Sequence, residues 1–217
     1  MTKHDPQPKR PAPRLYLVTP EVAEAEKFSR LLEAALAAAD VAAVLLRLQA
    51  ADPRTLINRV KMLAPVVQRK DVALVLDGHP DIVARAGADG AQLAGIAAFS
   101  AAVDELKPSR IAGCAGLNTR HDAMLAGEQG ADYVLFGERE KQGRRPSFAA
   151  IVERLAWWAE LFEVPCVGYA ERREEIAPLA EAGADFVAVD FVWTDARGVG
   201  RAVVDAAERL SLREHVA

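Results

Sequence analysis

Several polar side chains in this sequence stand at the ends of short apolar runs, where chemistry on a buried scaffold is usually placed. Arg47 and Gln49 stand at the end of one such run, Asp77 ends the next, and Asn118 follows the fifth. A guanidinium group binds phosphate or carboxylate in a forked geometry. Arg47 is therefore a candidate for both catalysis and phosphate binding, and Gln49 and Asn118 are candidate phosphate-binding residues.

Asp77 is a candidate catalytic residue and a candidate magnesium ligand, because Mg²⁺ needs only one or two carboxylates in addition to substrate phosphates and water. Two other interpretations stay open. Asp77 can cap a turn, since Gly78, His79 and Pro80 follow it. It can also form an ion pair with Arg47, and such a pair is compatible with phosphate binding by the same arginine.

A cationic segment at 137–146 follows the sixth apolar run and is the chain's one local excess of positive charge near the candidates above. Clustered guanidinium and ammonium groups bind a diphosphate well, so the segment is a candidate diphosphate clamp. A charged loop that is merely solvated is an equally consistent interpretation. The candidate clamp residues are Arg139, Lys141, Arg144 and Arg145.

A different chemistry is possible if the acidic residues after three separate runs come together. Asp77, Glu171 and Asp190 would then form a carboxylate cluster for a metal or a cationic substrate, in a barrel enzyme of another reaction class. No Ser/His/Asp or Cys/His arrangement can be argued from the spacing, and no histidine pair has a metal-binding helical offset.

These candidates need a scaffold in which the ends of successive strands meet. Eight continuous apolar runs, typical of strands buried on both faces, alternate with segments of helical periodicity. This alternation predicts an α/β fold, a compact (β/α)₈ TIM barrel forming one domain over 14–217, with its active site at the carboxyl ends of the strands. The sequence lacks the glycine-rich phosphate loops expected of an open nucleotide-binding sheet. The runs are 14–19, 41–48, 72–77, 90–95, 110–116, 133–138, 166–170 and 186–191.

An internal Gly-Ala-Asp repeat closes three of the helical segments and opens the strands that follow. Glycine supplies the left-handed helix cap, and the aspartate can accept hydrogen bonds from nearby backbone amides. Because these aspartates would lie at the amino ends of the strands, we expect a structural role for them. The repeats are at 87–89, 130–132 and 183–185.

Composition limits the possible partners and the compartment. The 217 residues carry a formal net charge of −4, which disfavours nucleic acid, and the apolar runs fall short of a membrane span. Residues 1–13 are rich in proline and charge and predict a disordered tail without a signal peptide, so we expect a cytoplasmic protein. The two cysteines, Cys114 and Cys166, are expected to be buried and reduced.

Two adjacent tryptophans, Trp157 and Trp158, lie with Phe162 near the end of a helical segment. Adjacent residues on a helix point in different directions, so both rings cannot face the same core. This patch predicts a possible homodimer interface. The alternative is one buried ring and one ring lying on the surface.

From Arg14 to about Arg209 the chain resembles the thiamine phosphate synthases and their thiazole tautomerase relatives. The resemblance rests on RLYLVTP, VALVLDGHPDIVARAGADGAQLAG, GEQGADYVLFGE and VPCVGYAERREEIAPLAEAGADFVAVDF. It implies an enzyme that joins hydroxymethylpyrimidine diphosphate to thiazole phosphate. In that reaction Mg²⁺ helps the diphosphate leave, and the thiazole nitrogen traps the pyrimidine cation.

The chain departs from the family at several motif positions. The family's Gln-x-Arg-x-Lys reads Leu45 to Gln49 and keeps only Arg47, and its Asn-Asp reads Asp77-Gly78. The family's Gly-Gly phosphate loop reads Ala170-Glu171. A second hypothesis is therefore a catalytically inactive family member that acts as a regulatory or ligand-binding module.

Overall fold

The computed structural model describes residues 11–140 and 143–211. Eight parallel strands follow one another in chain order and close into a barrel, because β1 pairs with both β2 and β8. Each predicted run contains one strand, so the predicted TIM barrel is confirmed. The strands are β1 (Arg14–Val18), β2 (Val41–Leu46), β3 (Ala73–Asp77), β4 (Gly90–Ala94), β5 (Ile111–Ala115), β6 (Tyr133–Phe136), β7 (Cys166–Ala170) and β8 (Phe186–Val189).

A helix follows every strand and packs on the outside of the barrel. Local capping sets where several of them begin: the Asp52 carboxylate accepts a hydrogen bond from the Thr55 amide, and Thr119 and Asp122 form a reciprocal capping box. The helices are α1 (Ala25–Ala38), α2 (Pro53–Gln68), α3 (Val83–Ala86), α4 (Ile96–Leu106), α5 (Arg120–Glu128), α6 (Phe148–Leu161), α7 (Ile176–Glu181) and α8 (Val199–Ser211).

The strands are apolar on both faces because each face meets a different part of the core. In β1, Leu15 and Leu17 pack outward in the cluster that the helices share, whereas Tyr16 and Val18 point into the barrel. This alternation follows from the two-residue period of a strand. The lumen is therefore filled with side chains, and a ligand can bind only at an end of the barrel.

The Gly-Ala-Asp repeat has the structural role that the sequence predicts. Each aspartate accepts a hydrogen bond from a backbone amide of the preceding strand and so ties two neighbouring strands together at their amino ends. The bonds run from Leu74 N to Asp89 at 2.7 Å, from Ala112 N to Asp132 at 2.7 Å, and from Cys166 N to Asp185 at 2.8 Å.

Other predictions concern the surface and the chain ends. Cys114 and Cys166 are both buried, as expected. Within 11–140 and 143–211, no helix has the length and apolar character needed to cross a membrane. Residues 1–10 of the predicted tail lie outside the described residues, and 11–13 have no regular secondary structure.

The two tryptophans of α6 point in different directions. Trp158 is fully buried, and its indole N–H donates to the Val164 carbonyl at 2.7 Å. Trp157 is half-buried, and the Arg120 guanidinium lies over its ring, 4.9 Å from the ring centroid. One ring is therefore buried and the other lies near the surface, where it can still take part in an interface.

Candidate functional site

Arg47 lies at the mouth of the barrel, directly after β2, and backbone hydrogen bonds hold it there. Its N–H donates to the Thr19 hydroxyl at 3.0 Å, and its carbonyl accepts from the Val22 amide at 2.9 Å. Its Nε lies 3.2 Å from an Asp77 carboxylate oxygen, and one Nη lies 3.9 Å from Asp190. The predicted Arg47–Asp77 ion pair is therefore present.

The two contacts of the Arg47 side chain with carboxylates are longer than the 2.7–2.9 Å typical of a charge-assisted hydrogen bond. About a third of its side chain is exposed, so a ligand at the mouth can reach the guanidinium group. Burial alone would lower the pKa of this guanidinium, but the neighbouring Tyr169 and Asp77 raise it. Arg47 therefore stays charged and can bind an anion.

Tyr169 and Asp190 form the opposite side of the mouth. The Tyr169 hydroxyl donates to the Asp190 carboxylate at 2.5 Å. Burial is the main reason that the pKa of Tyr169 is raised, and the hydrogen bond to Asp190 raises it further. The phenol therefore keeps its proton and orients the carboxylate that faces Arg47.

A chain of hydrogen-bonded polar side chains lies inside the barrel. The Tyr133 hydroxyl donates to the Gln92 side-chain oxygen at 3.0 Å and lies 2.8 Å from the Tyr16 hydroxyl. All three residues are buried. Because a buried hydroxyl without a partner is costly, these hydrogen bonds hold the three side chains in place.

Glu138 reaches the same mouth from the loop after β6. Its carboxylate accepts a hydrogen bond from the Gly116 amide at 2.5 Å, across the gap between β5 and β6. Burial raises the pKa of Glu138 above its usual value, against the lowering effect of that amide. In the sequence Glu138 stands out only as part of a charged loop, although its position two residues after β6 could have marked it as a candidate.

Two cavities open at this end of the barrel. One, of about 470 Å³, lies between the ends of β4 to β6 and α6, and we call it the α6 cavity. The other, of about 480 Å³, we call the arginine cavity. Lining residues of the α6 cavity include Gly95, Gly116, Asn118, Glu138, Arg139 and Ile151. The arginine cavity is lined by Arg47, Arg139, Tyr169, Glu171, Arg172 and Asp190.

Comparisons with known proteins decide the family. The family described as thiamine monophosphate synthase matches residues 15–190. A thiamine-phosphate synthase of Rhodospirillum centenum is 42% identical over 196 residues, which cover 88% of this chain and 95% of that protein. This chain belongs to the thiamine monophosphate synthase family.

A second relative agrees with this family assignment, and a solved structure shares the fold. A thiamine-phosphate synthase of Hyphomonas neptunium is 35% identical over 89% of this chain and 92% of that protein. The structure of a thiamine phosphate pyrophosphorylase from Pyrococcus furiosus covers 92% of this chain and 96% of its own, with a TM-score of 0.74 and 22% identity. At that identity the structural match shows the shared barrel fold.

Within this family member, the candidate clamp residues after β6 separate into different roles. Arg139 lies between the two cavities and donates to Glu171 at 2.9 Å. Arg144 is largely exposed and pairs with Glu140 at 3.0 Å. Lys141 lies outside the described residues.

Arg145 is turned away from the mouth and is nearly buried. It pairs with Glu175 at 2.9 Å, and it also donates to the backbone carbonyls of Gly137 and Tyr169. The exposed fractions of the Arg145 and Glu175 side chains are 9% and 3%. These contacts join the loop after β6 to the loop after β7, so the structure gives Arg145 a structural role.

The remaining phosphate-binding candidates lie at different distances from the mouth. Asn118 lines the α6 cavity, and its carbonyl accepts from Arg154 at 3.1 Å. Gln49 is exposed and lines neither cavity, and its carbonyl accepts from Arg59 at 2.6 Å. The structure therefore brings Arg47, Asp77, Arg139 and Asn118 to the mouth.

The acidic residues after β3, β7 and β8 do not form the carboxylate cluster that one hypothesis requires. Asp77 and Asp190 lie on either side of Arg47, and Glu171 pairs with Arg139 and Arg145. In the part of the chain that the structure describes, no three His, Cys, Asp or Glu side chains form a group that could hold a metal ion. A barrel enzyme based on such a cluster is not supported.

Asp77 could hold the Mg²⁺ ion that the resemblance implies only together with other ligands. One Asp77 oxygen faces Arg47, and a single carboxylate holds Mg²⁺ only when substrate phosphates and water supply the other ligands. A single carboxylate such as Asp77 therefore suits only an ion that arrives together with a diphosphate.

Proposed function

We propose that this protein joins hydroxymethylpyrimidine diphosphate to thiazole phosphate. The observation that carries the proposal is the pair of cavities at the carboxyl ends of the strands, which share Arg139. A diphosphate among the guanidinium groups of the arginine cavity leaves its organic group free to enter the more apolar α6 cavity. The family assignment supplies the reaction class.

In this proposal the arginines bind the diphosphate and orient it. Arg47 approaches from β2, and Arg139 and Arg172 approach from the loops after β6 and β7. Forked N–H donors hold the leaving diphosphate in place and neutralise the charge it gains. A Mg²⁺ ion held by Asp77 would add to that neutralisation when bound.

The reaction breaks one bond and forms one bond, and it requires no proton transfer by the protein. The carbon–oxygen bond to the diphosphate breaks, and its electron pair leaves with the diphosphate. The lone pair of the thiazole nitrogen forms the new carbon–nitrogen bond. The chain's residues hold the two substrates in line and stabilise the separated charges.

Calorimetric titration tests this proposal. The protein is titrated with hydroxymethylpyrimidine diphosphate and separately with thiazole phosphate, each with and without Mg²⁺. We expect diphosphate binding that strengthens with Mg²⁺. Arg47→Ala should weaken it about 10- to 100-fold, because a hydrogen bond to a charged group contributes about 1.5–3 kcal/mol.

Arg30→Ala is the matched control, since Arg30 is exposed on α1 in the outer helical layer. It should leave the affinity unchanged. Absence of binding for both compounds would overturn the proposal. Binding of both compounds without formation of thiamine phosphate would instead favour the inactive, ligand-binding family member.

The proposal includes two further expectations from the sequence, a cytoplasmic location and a homodimer. The half-buried Trp157 and the Leu161 side chain, which is 61% exposed, form the apolar surface that supports a dimer. Light scattering of the purified protein tests this, and the mass of a single chain would rule the dimer out.

A further inference from the structure

Glu138 owes its position to the residue before it. Gly137 has a φ of 102°, in the region that only glycine adopts readily. A Cβ atom there would lie 3.0 Å from an Ile151 methyl group and 3.3 Å from the Tyr169 carbonyl oxygen. The backbone can therefore turn sharply at the end of β6 and direct Glu138 toward the Gly116 amide at the mouth.

Glu138 differs from the other carboxylates around the mouth in its partners. Asp77 and Asp190 lie beside Arg47, and Glu171 pairs with Arg139 and Arg145. Among the described residues, no lysine or arginine nitrogen lies within ion-pair distance of Glu138, and a backbone amide is its hydrogen-bond donor. Arg47 acts on this half-buried carboxylate only through its field and not through an ion-pair contact, so Glu138 can still accept a positively charged group of a ligand.

The charges around the two cavities are arranged in a definite order. Arg47, Arg139 and Arg172 line the arginine cavity, whereas Glu138 lines the α6 cavity on the other side of Arg139. A substrate that extends across both cavities places its diphosphate among guanidinium groups and its ring beside the carboxylate. This arrangement matches a transition state in which negative charge develops on one part and positive charge on the other.

We propose that Glu138 is a catalytic residue whose carboxylate stabilises the positive charge that develops on the pyrimidine ring as the diphosphate leaves. When the carbon–oxygen bond breaks, its electron pair goes to the diphosphate, and the methylene carbon becomes electron-deficient. The ring and its amino group share that charge, so the amino N–H donates more strongly to the carboxylate. No proton is transferred, and the thiazole nitrogen then neutralises the carbon. This inference rests on the proposed function.

The charge of Glu138 depends on pH, and its surroundings determine its pKa. Burial has the largest effect and raises the pKa of Glu138, the hydrogen bond from the Gly116 amide lowers it, Asp77 raises it and Arg47 lowers it. Burial raises the pKa of the neighbouring Cys114 thiol to about 12, so that thiol stays neutral. Protonation of Glu138 at acidic pH would remove the negative charge that the developing cation needs.

The test compares wild-type protein with Glu138→Gln in steady-state assays of thiamine phosphate formation with Mg²⁺ present. The amide oxygen of glutamine can still accept the Gly116 N–H, so only the charge is lost. We expect kcat to fall about 100- to 1000-fold, the effect typical of removing one electrostatic stabiliser. The calorimetric affinity for the diphosphate should change less than about threefold, since the ground state carries little charge on the ring.

Two further variants make the result specific. Glu138→Asp restores the charge with a shorter reach and should recover part of the lost kcat. Glu153→Gln removes an exposed carboxylate of α6 that lines neither cavity, and it should leave kcat unchanged. The wild-type kcat should fall toward acidic pH, and Glu138→Gln should lack that decrease.

Each outcome separates this inference from the proposed function. A Glu138→Gln protein that retains wild-type kcat, or that loses diphosphate affinity instead of kcat, overturns the role of Glu138 and leaves the proposed function intact. Wild-type protein that binds neither substrate overturns both. Thermal unfolding of each variant shows whether a loss of kcat reflects a loss of fold.

Discussion

Removing the carboxylate of Glu175 should destabilise the protein. Arg145 donates to both Glu175 oxygens, at 3.1 and 2.9 Å, and both side chains are nearly buried. Removing one partner of a buried ion pair generally costs about 3–5 kcal/mol, because the other charge stays buried without a counter-ion. In Glu175→Ala, Glu171 would still lie 3.4 Å from Arg145. We therefore expect the lower figure, about 3 kcal/mol.

Urea and thermal unfolding followed by circular dichroism measure this loss. For a domain of this size, about 3 kcal/mol corresponds to a decrease in Tm of about 6–12 °C. Glu174→Ala is the matched control, because Glu174 is the exposed neighbour of Glu175. A substitution at such a surface position should change the free energy of unfolding by about 0.5 kcal/mol or less.

The pH dependence of stability provides a second test of the same pair. Burial would raise the pKa of Glu175, but hydrogen bonds from Arg145, the Glu171 amide and Arg172 outweigh burial and lower it. A carboxyl group with a lowered pKa stabilises the fold above its usual pKa, and this contribution is lost as pH falls through the lowered value. The Glu175→Ala variant should therefore show a smaller loss of stability on acidification than wild type.

The opposite pattern of results would support the phosphate-binding role that the sequence predicts for Arg145. If Arg145→Met leaves the free energy of unfolding unchanged but weakens the binding of hydroxymethylpyrimidine diphosphate, the structural role is wrong. If Glu175→Ala unfolds with the wild-type urea midpoint, the argument from the buried ion pair also fails.

Two shorter predictions concern the strand ends and the barrel wall. Asp132→Ala should lower the free energy of unfolding by about 1–3 kcal/mol, because the Ala112 amide loses its hydrogen-bond acceptor, and it should leave substrate affinity unchanged. An unchanged urea midpoint would contradict the structural role of the Gly-Ala-Asp aspartates. Cys114 is fully buried with a pKa of about 12, so a thiol reagent should modify it only after unfolding. Rapid modification of Cys114 in the native protein, identified by mass spectrometry, would contradict this burial.

The sequence alone was sufficient to predict the fold because the relevant signals are local. Continuous apolar runs indicate strands buried on both faces, and their regular alternation with helical segments indicates a barrel. The Gly-Ala-Asp repeat also has a local cause, since a left-handed glycine and an aspartate can form their turn wherever the chain enters a strand. The resemblance to the family extends over the same elements and predicted the family correctly.

The tertiary structure decided which charges face one another. Arg139 and Arg145 stand in the same short cationic segment, yet one lies between two cavities and the other is buried against Glu175. Glu138 is one charge of that same segment in the sequence, and its approach to Gly116 depends on how the ends of β5 and β6 meet. The partner of a charged side chain is set by long-range packing, whereas an apolar run indicates a strand through its own composition. For this reason the strands could be predicted from the sequence, and so could the Arg47–Asp77 pair at adjacent strand ends, whereas the partners of Glu138, Arg139 and Arg145 could not.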